Sequence, residues 1–186
     1  MPSNADMNFD LPSGLIDYLA ELDAFIDAEI RPLEQADDNI RFFDHRREWA
    51  RTDFEHGGLP RREWEALLRE AKNLADKAGH YRFALPGKYG GRDGSDLWMA
   101  VIREHFASKG LGLHNDLQNE HSIVGNLPFV TMLDLYGRPE QRTMIEGGIA
   151  GEYRITFGLT EPGHGSDATH METRAARTTR NGVPGW

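Results

Sequence analysis

Leu15, Leu19, Leu22, Ile26 and Ile30 recur at intervals of three and four, which places them on one face of a helix over 15–31. Ser13 stands where an N-cap belongs, and Pro32 is expected to end the helix because it brings no backbone N–H to the ladder. A second stripe of Trp64, Leu67, Leu68, Ala71, Leu74 and Ala78 predicts a helix opening at Pro60 and stopping at Gly79. A third helix starts from a Ser95 cap and carries Leu97, Val101, Ile102 and Phe106 toward Gly110. From Leu117 to Tyr136 the pattern is again helical. Gly125 and Pro128 interrupt it, so two helices or one kinked helix are expected, ended by Gly137. A short helix should follow from Pro139 to Gly147-Gly148.

Then the period changes. Ile155, Phe157 and Leu159 share one side of an extended chain, which predicts a strand over 153–160. Met171 to Thr178 fits a second strand followed by a turn at Asn181-Gly182, and a third strand would begin at Trp186. The expected fold class is mainly α: a helical bundle over 1–150, then the first strands of a truncated β domain over 151–186. A two-strand ribbon is rarely stable alone, so the β part reads as an opening slice.

Composition narrows the function classes. With 186 residues, 39% hydrophobic and 27% charged, the chain can bury a core and is too apolar for a disordered tail. Thirty acidic residues against 21 basic give a net charge of −9, which argues against nucleic-acid and anionic-membrane binding. The absence of cysteine removes disulfide scaffolds, thiolate metal sites and thiol nucleophiles. No stretch is long and apolar enough for a bilayer, and the N-terminus carries neither a secretory nor an Arg-rich targeting pattern. A cytoplasmic protein without membrane insertion is expected.

Several constellations invite chemistry. Gly163 to Ala168 fits G-x-G-x-x-[GA] after a strand, but Pro162 and the non-helical Thr169 to Thr173 disfavour a dinucleotide fold, which needs a helix there. Two glycines still let backbone N–H groups approach an anion, and the Thr160 and Ser166 hydroxyls can donate to phosphate or a ring edge. A cofactor-contacting loop stands here beside an ordinary tight turn. His114 and His121 could share a helical face with Asp116 and Glu120, yet no zinc-type histidine pair exists, and no metal is expected. Arg41, Arg46, Arg47 and Arg51 alternate with Asp44, Glu48, Asp53 and Glu55, the pattern of a solvated charged helix. Gly87 to Gly91 is not a P-loop, and the serine nucleophile elbow is absent, so nothing supports hydrolase chemistry.

Gly158-Leu159-Thr160-Glu161-Pro162-Gly163-His164-Gly165-Ser166-Asp167 resembles the signature of the acyl-CoA dehydrogenase family: small, aliphatic, Thr or Ser, Glu, a glycine turn, then Gly-Ser-Asp. Other segments follow in family order. Ala84 to Gly91 looks like the P-x-x-Y-G-G turn before the family's next helix, Leu135 to Arg142 like its YGTEEQK segment, and Ile30 to Glu34 like the end of the first helix. His164 and His170 depart from the pattern, being bulky where small residues are usual, and the charged Arg41 to Pro60 resembles an insertion. The resemblance runs over roughly residues 12 to 186.

It implies an N-terminal helical domain and the start of a middle β domain, with the C-terminal helical domain absent. It implies FAD as cofactor, contacted by Phe157, Gly158, Leu159, Thr160, Glu161, Pro162, Gly163, His164, Gly165 and Ser166, with Ser166 also reaching the acyl-CoA substrate. The reaction implied is α,β-dehydrogenation of an acyl-CoA thioester, with an electron-transfer flavoprotein as acceptor and a homo-oligomer at full length. No residue of this chain receives the role of catalytic base. The alternatives are a non-catalytic truncated paralogue pairing with a full-length homologue, or a sister flavoenzyme such as an acyl-CoA oxidase, nitroalkane oxidase or flavin monooxygenase.

Overall fold

A computed structural model describes residues 10–43, 48–109, 126–153, 158–163, 165–167 and 169–186. The chain divides after Arg154 into two units. In the first, helix α1 (Ser13–Phe25) buries Leu15, Tyr18, Leu22 and Phe25; Pro12 holds the N-cap position and Ser13 is already helical. Pro32 does not end the helix. A π-helical turn at Ile26–Ile30 shifts the ladder, the Arg31 amide reaching back to Ile26, and α2 (Arg31–Gln35) follows with Pro32 in its first turn. A missing N–H is tolerated there because first-turn amides lack intrahelical partners.

The continuous charged helix expected around Arg41 to Glu55 is not formed. The 3-10 segment Ala36–Phe43 is kinked by left-handed Asp37 and Asp38 (φ 48 and 60). After it come α3 (Glu48–Arg51) and an antiparallel ribbon of β1 (Thr52–Asp53) with β2 (Leu59–Pro60). Gly57 and Gly58, at φ 90 and 71, supply the reversal that a helix has no place for. Asp44, Arg46 and Arg47 lie outside the described residues.

Helix α4 (Arg62–Lys77) buries Leu67, Ala71 and Ala75, with Trp64, Leu68 and Leu74 half-buried beside them. Ala78 is exposed, so Ala75 takes its place in the stripe. The stop at Gly79 is as expected. Gly79, at φ 79, donates to Asp76 and His80 donates to Ala75, the paired bonds of a Schellman ending.

In α5 (Asp96–Ser108) the Ser95 hydroxyl accepts from the Trp98 amide at 3.3 Å, and Met99, Ile102 and Phe106 are buried. Leu97 instead faces outward. Ser95→Ala is expected to lower stability by about 1 kcal/mol, read as an earlier urea midpoint; an unmoved midpoint would contradict the cap.

Helix α6 (Asn126–Tyr136) holds Pro128 in its first turn and closes with the Gly137 amide on the Leu133 carbonyl at 2.9 Å. The expected break at Gly125, and the group His114, Asp116, Glu120 and His121, lie outside the described residues. The helix from Pro139 is two pieces, α7 (Pro139–Arg142) and α8 (Ile145–Ile149). Gly147 and Gly148 sit inside α8 rather than ending it. A Cβ at Gly148 would stand 2.6 Å from the Phe129 ring, so close packing explains that glycine.

The core joins α1, the π turn, α4, α5, α6 and α8 through Leu22, Ile26, Ala71, Phe106, Val130 and Ile149. A histidine is buried against this core. His80 lies against Phe25 and Tyr18, its Nδ1 3.2 Å from the Tyr18 hydroxyl. Burial holds its imidazole below the ordinary value of 6.5, against the opposing pull of Glu21 and with help from Arg92. The unfolded chain therefore takes up this proton first as pH falls. Stability present above the ordinary histidine value is lost as pH drops through it toward the folded value. The urea midpoint is expected to fall between about pH 7 and about pH 5, and His80→Gln should flatten that slope. Equal slopes in both proteins would contradict this role.

The second unit holds β3 (Thr178–Arg180) and β4 (Val183–Gly185), antiparallel in the register Thr178 to Gly185. Asn181 and Gly182, at φ 52 and 79, form the expected turn, of the kind that needs two left-handed residues. The strand edges differ from expectation. Gly158 to Thr160 forms no strand, and the remainder of that expected strand, apart from Tyr153, lies outside the described residues. The strand expected over 171–178 is instead Thr178–Arg180, and the following strand opens at Val183 rather than Trp186. The described residues are thus mostly helical with a few short antiparallel strands. No helix among them is long and apolar enough to cross a membrane.

Candidate functional site

The signature stretch folds as a loop tied at two points. Glu161 forms the first tie. Its Oε2 accepts from the Glu172 amide at 2.9 Å, and its Oε1 accepts from the Thr173 amide at 2.7 Å and from the Thr173 hydroxyl. These donors, the Glu172 amide foremost, hold the Glu161 carboxyl below the usual carboxylate range. Asp167 forms the second tie: its Oδ1 accepts from the Thr169 hydroxyl at 2.6 Å and the Thr169 amide at 3.0 Å. The Thr169 hydroxyl, then the amide, lowers the Asp167 carboxyl likewise. This tie is local because a short carboxylate reaches the backbone two residues on.

Between the ties the loop is open. Thr160, Pro162, Gly163, Gly165 and Ser166 are exposed, and Leu159 is half-buried. A Cβ at Gly158 or Gly163 would meet nothing within 4 Å, whereas one at Gly165 would stand 3.2 Å from the Thr160 methyl. Gly165 therefore lets the two arms approach. Phe157 and His164 lie outside the described residues. With both carboxylates turned to internal donors, the loop offers hydroxyls and backbone amides; its chemistry suits holding a polar ligand more than moving a proton.

The Ala84 to Gly91 segment, in the first unit, is fastened by side chains that the sequence pattern did not single out. Arg82 bridges Asp76, the Tyr89 carbonyl and Glu146. The Tyr89 hydroxyl donates to Asp134 Oδ1 at 2.8 Å, and Lys88 pairs with the other oxygen of that carboxylate at 2.5 Å. Hydrogen bonds from Lys88 and then Tyr89 hold the Asp134 carboxyl below its ordinary value. The charge of Asp134, on an otherwise uncharged helix, hinted at this. A pocket of about 600 Å³ beside α1 and α5, lined by Asp17, Tyr18, Glu21, Phe83, Arg92 and Trp98, was also unforeseen. Its wall is a stack of Tyr18 on Phe83 and Phe83 on Trp98, at centroid distances of 4.5 and 6.2 Å.

Comparison with known proteins gives two relatives. Over 110 residues the chain is 34% identical to a "Probable acyl-CoA dehydrogenase" of Bacillus subtilis (strain 168), covering 59% of this chain and 17% of that protein. Over 100 residues it is 32% identical to the "Caffeyl-CoA reductase-Etf complex subunit CarC" of Acetobacterium woodii, covering 53% of this chain and 25% of that protein. No family model and no solved structure matches. The chain thus corresponds to a quarter or less of either relative, and both matches support the acyl-CoA dehydrogenase-like family to which its signature points.

Proposed function

We propose that this chain forms the cofactor-facing N-terminal portion of an FAD-dependent acyl-CoA dehydrogenase-like oxidoreductase acting on the α,β bond of an acyl-CoA thioester. The observation that carries the reading is the signature loop itself. Its hydroxyls and glycines are exposed, while both of its carboxylates are occupied internally. That donor set suits a flavin pyrophosphate and ring edge, because both oxygens of Glu161 and Oδ1 of Asp167 are already engaged by internal donors. Among the described residues, Gly158 to Gly163, Gly165 and Ser166 would hold the cofactor; Phe157 and His164 complete the proposed set.

When bound, the flavin supplies a two-electron acceptor for hydride from the acyl β-carbon. Leu159 would lend the ring an apolar contact and Thr160 a hydroxyl donor. The backbone at Gly163 and Gly165 would approach the pyrophosphate with Ser166, which would also reach the acyl-CoA. None of these side chains is suited to remove the α-proton. The name of the Acetobacterium relative supports an electron-transfer flavoprotein as partner. It also favours a second reading, in which the same site reduces an enoyl-CoA. We place the domain change near residue 150, with the helical domain before it and the opening of a β domain after it.

Anaerobic addition of acyl-CoA thioesters to the natural-length protein should bleach a bound flavin, and enoyl-CoA should restore its colour. Flavin that responds to neither thioester would contradict the substrate class.

A further inference from the structure

We infer that Glu161 is a positioning residue: its carboxylate, with Thr173 as partner, sets the shape of the loop that presents Thr160, Gly165 and Ser166. The inference rests on the proposed flavin role of that loop and assigns the signature acid a task within it. Glu161 stands at the start of the loop, and its three donors stand eleven and twelve residues later. One side chain therefore closes the whole excursion. Three donors on one carboxylate leave its side chain little capacity for a ligand, so Glu161 would meet the cofactor through its backbone.

The two oxygens divide the work. Oε2 takes the Glu172 amide, while Oε1 takes the Thr173 amide and hydroxyl. A glutamine can imitate one oxygen only, and its NH₂ would then face a second N–H donor. Aspartate is one methylene too short to reach both amides from the same backbone position. Thr173→Ser keeps the hydroxyl donor; Thr173→Val keeps the shape and removes it.

The test uses the natural-length protein and two readouts. Amide hydrogen exchange at Glu172 and Thr173 reports the clamp without reference to any ligand, and FAD titration reports the loop's service to the cofactor. Glu161→Gln is expected to speed exchange at both amides about tenfold and to weaken FAD binding about tenfold, since hydrogen bonds to charged groups carry that much. Thr173→Val should reproduce part of both effects and Thr173→Ser should restore them. Unchanged exchange in Glu161→Gln would overturn the clamp. Faster exchange with unaltered FAD affinity would overturn the positioning role while leaving the flavin assignment intact. A wild-type protein that binds no FAD would refute the proposed function itself, and with it the positioning role that rests on it, even if the exchange data upheld the clamp.

Discussion

Gly91→Ala is expected to destabilise the first unit by about 3 kcal/mol or more, among the largest effects of any single methyl in the chain. A Cβ at this position would stand 1.7 Å from the Leu85 carbonyl oxygen and 2.7 Å from that of Arg82. Both obstacles are backbone, so no rotamer change relieves them. The Gly91 amide also donates to the Pro86 carbonyl at 3.2 Å, which fixes its distance from the turn it closes. The loss is large against the 5–15 kcal/mol that usually holds a domain together. It should appear as a markedly earlier urea midpoint in the helical circular dichroism. Gly158→Ala, where a Cβ meets nothing within 4 Å, is the matched control and should leave that midpoint in place. A Gly91→Ala protein with the wild-type midpoint would contradict the packing of this turn.

Arg82→Met should cost about 3 kcal/mol by removing the cation on which three segments converge. Its Nε and Nη2 donate to the two oxygens of Asp76 at 2.7 and 3.1 Å, and its Nη1 to the Tyr89 carbonyl at 3.0 Å and to Glu146 at 2.9 Å. The arms differ in worth. The Glu146 side chain is 62% exposed, so that pair contributes little, whereas Arg82 and Asp76 are 19% and 31% exposed. Most of the loss therefore comes from stranding the Asp76 carboxylate and the Tyr89 carbonyl. Methionine keeps the apolar stem, which separates the charge from the packing. Arg82→Lys should recover only part, because an ammonium cannot fork across both oxygens of a carboxylate. Full recovery in Arg82→Lys would show that the charge alone matters and the fork does not.

What the sequence made legible followed from short-range physics. The α4 stripe, the Ser95 cap and the Gly79 stop each depend on residues within a turn or two, and Asn181-Gly182 is a local preference for left-handed backbone. Pro32 misled because the π turn that absorbs it leaves no mark in residue spacing. The ribbon at Thr52 to Pro60 was hidden by alternating charges that fit a helix face as well as a loop, although Gly57-Gly58 carried the signal. Gly147 and Gly148 looked like a stop because their true cause is tertiary: the Phe129 ring lies against Gly148.

At the candidate site the residue types were legible and the bonding was not. The motif pointed to Phe157 through Ser166 as one contact surface. It could not show that Glu161 spends its carboxylate on Glu172 and Thr173, since they lie eleven and twelve positions further along the chain. Asp134 lies 45 positions from Tyr89, which leaves no periodic trace, and the main partners of Arg82, six and seven positions away, sit in a turn rather than on one helix face.

Native mass spectrometry of the protein isolated from its own source tests the central claim most directly, because it reports chain mass and bound cofactor together. The flavin reading predicts one FAD per chain, released when the protein is denatured. A folded chain carrying no flavin at any mass would contradict it.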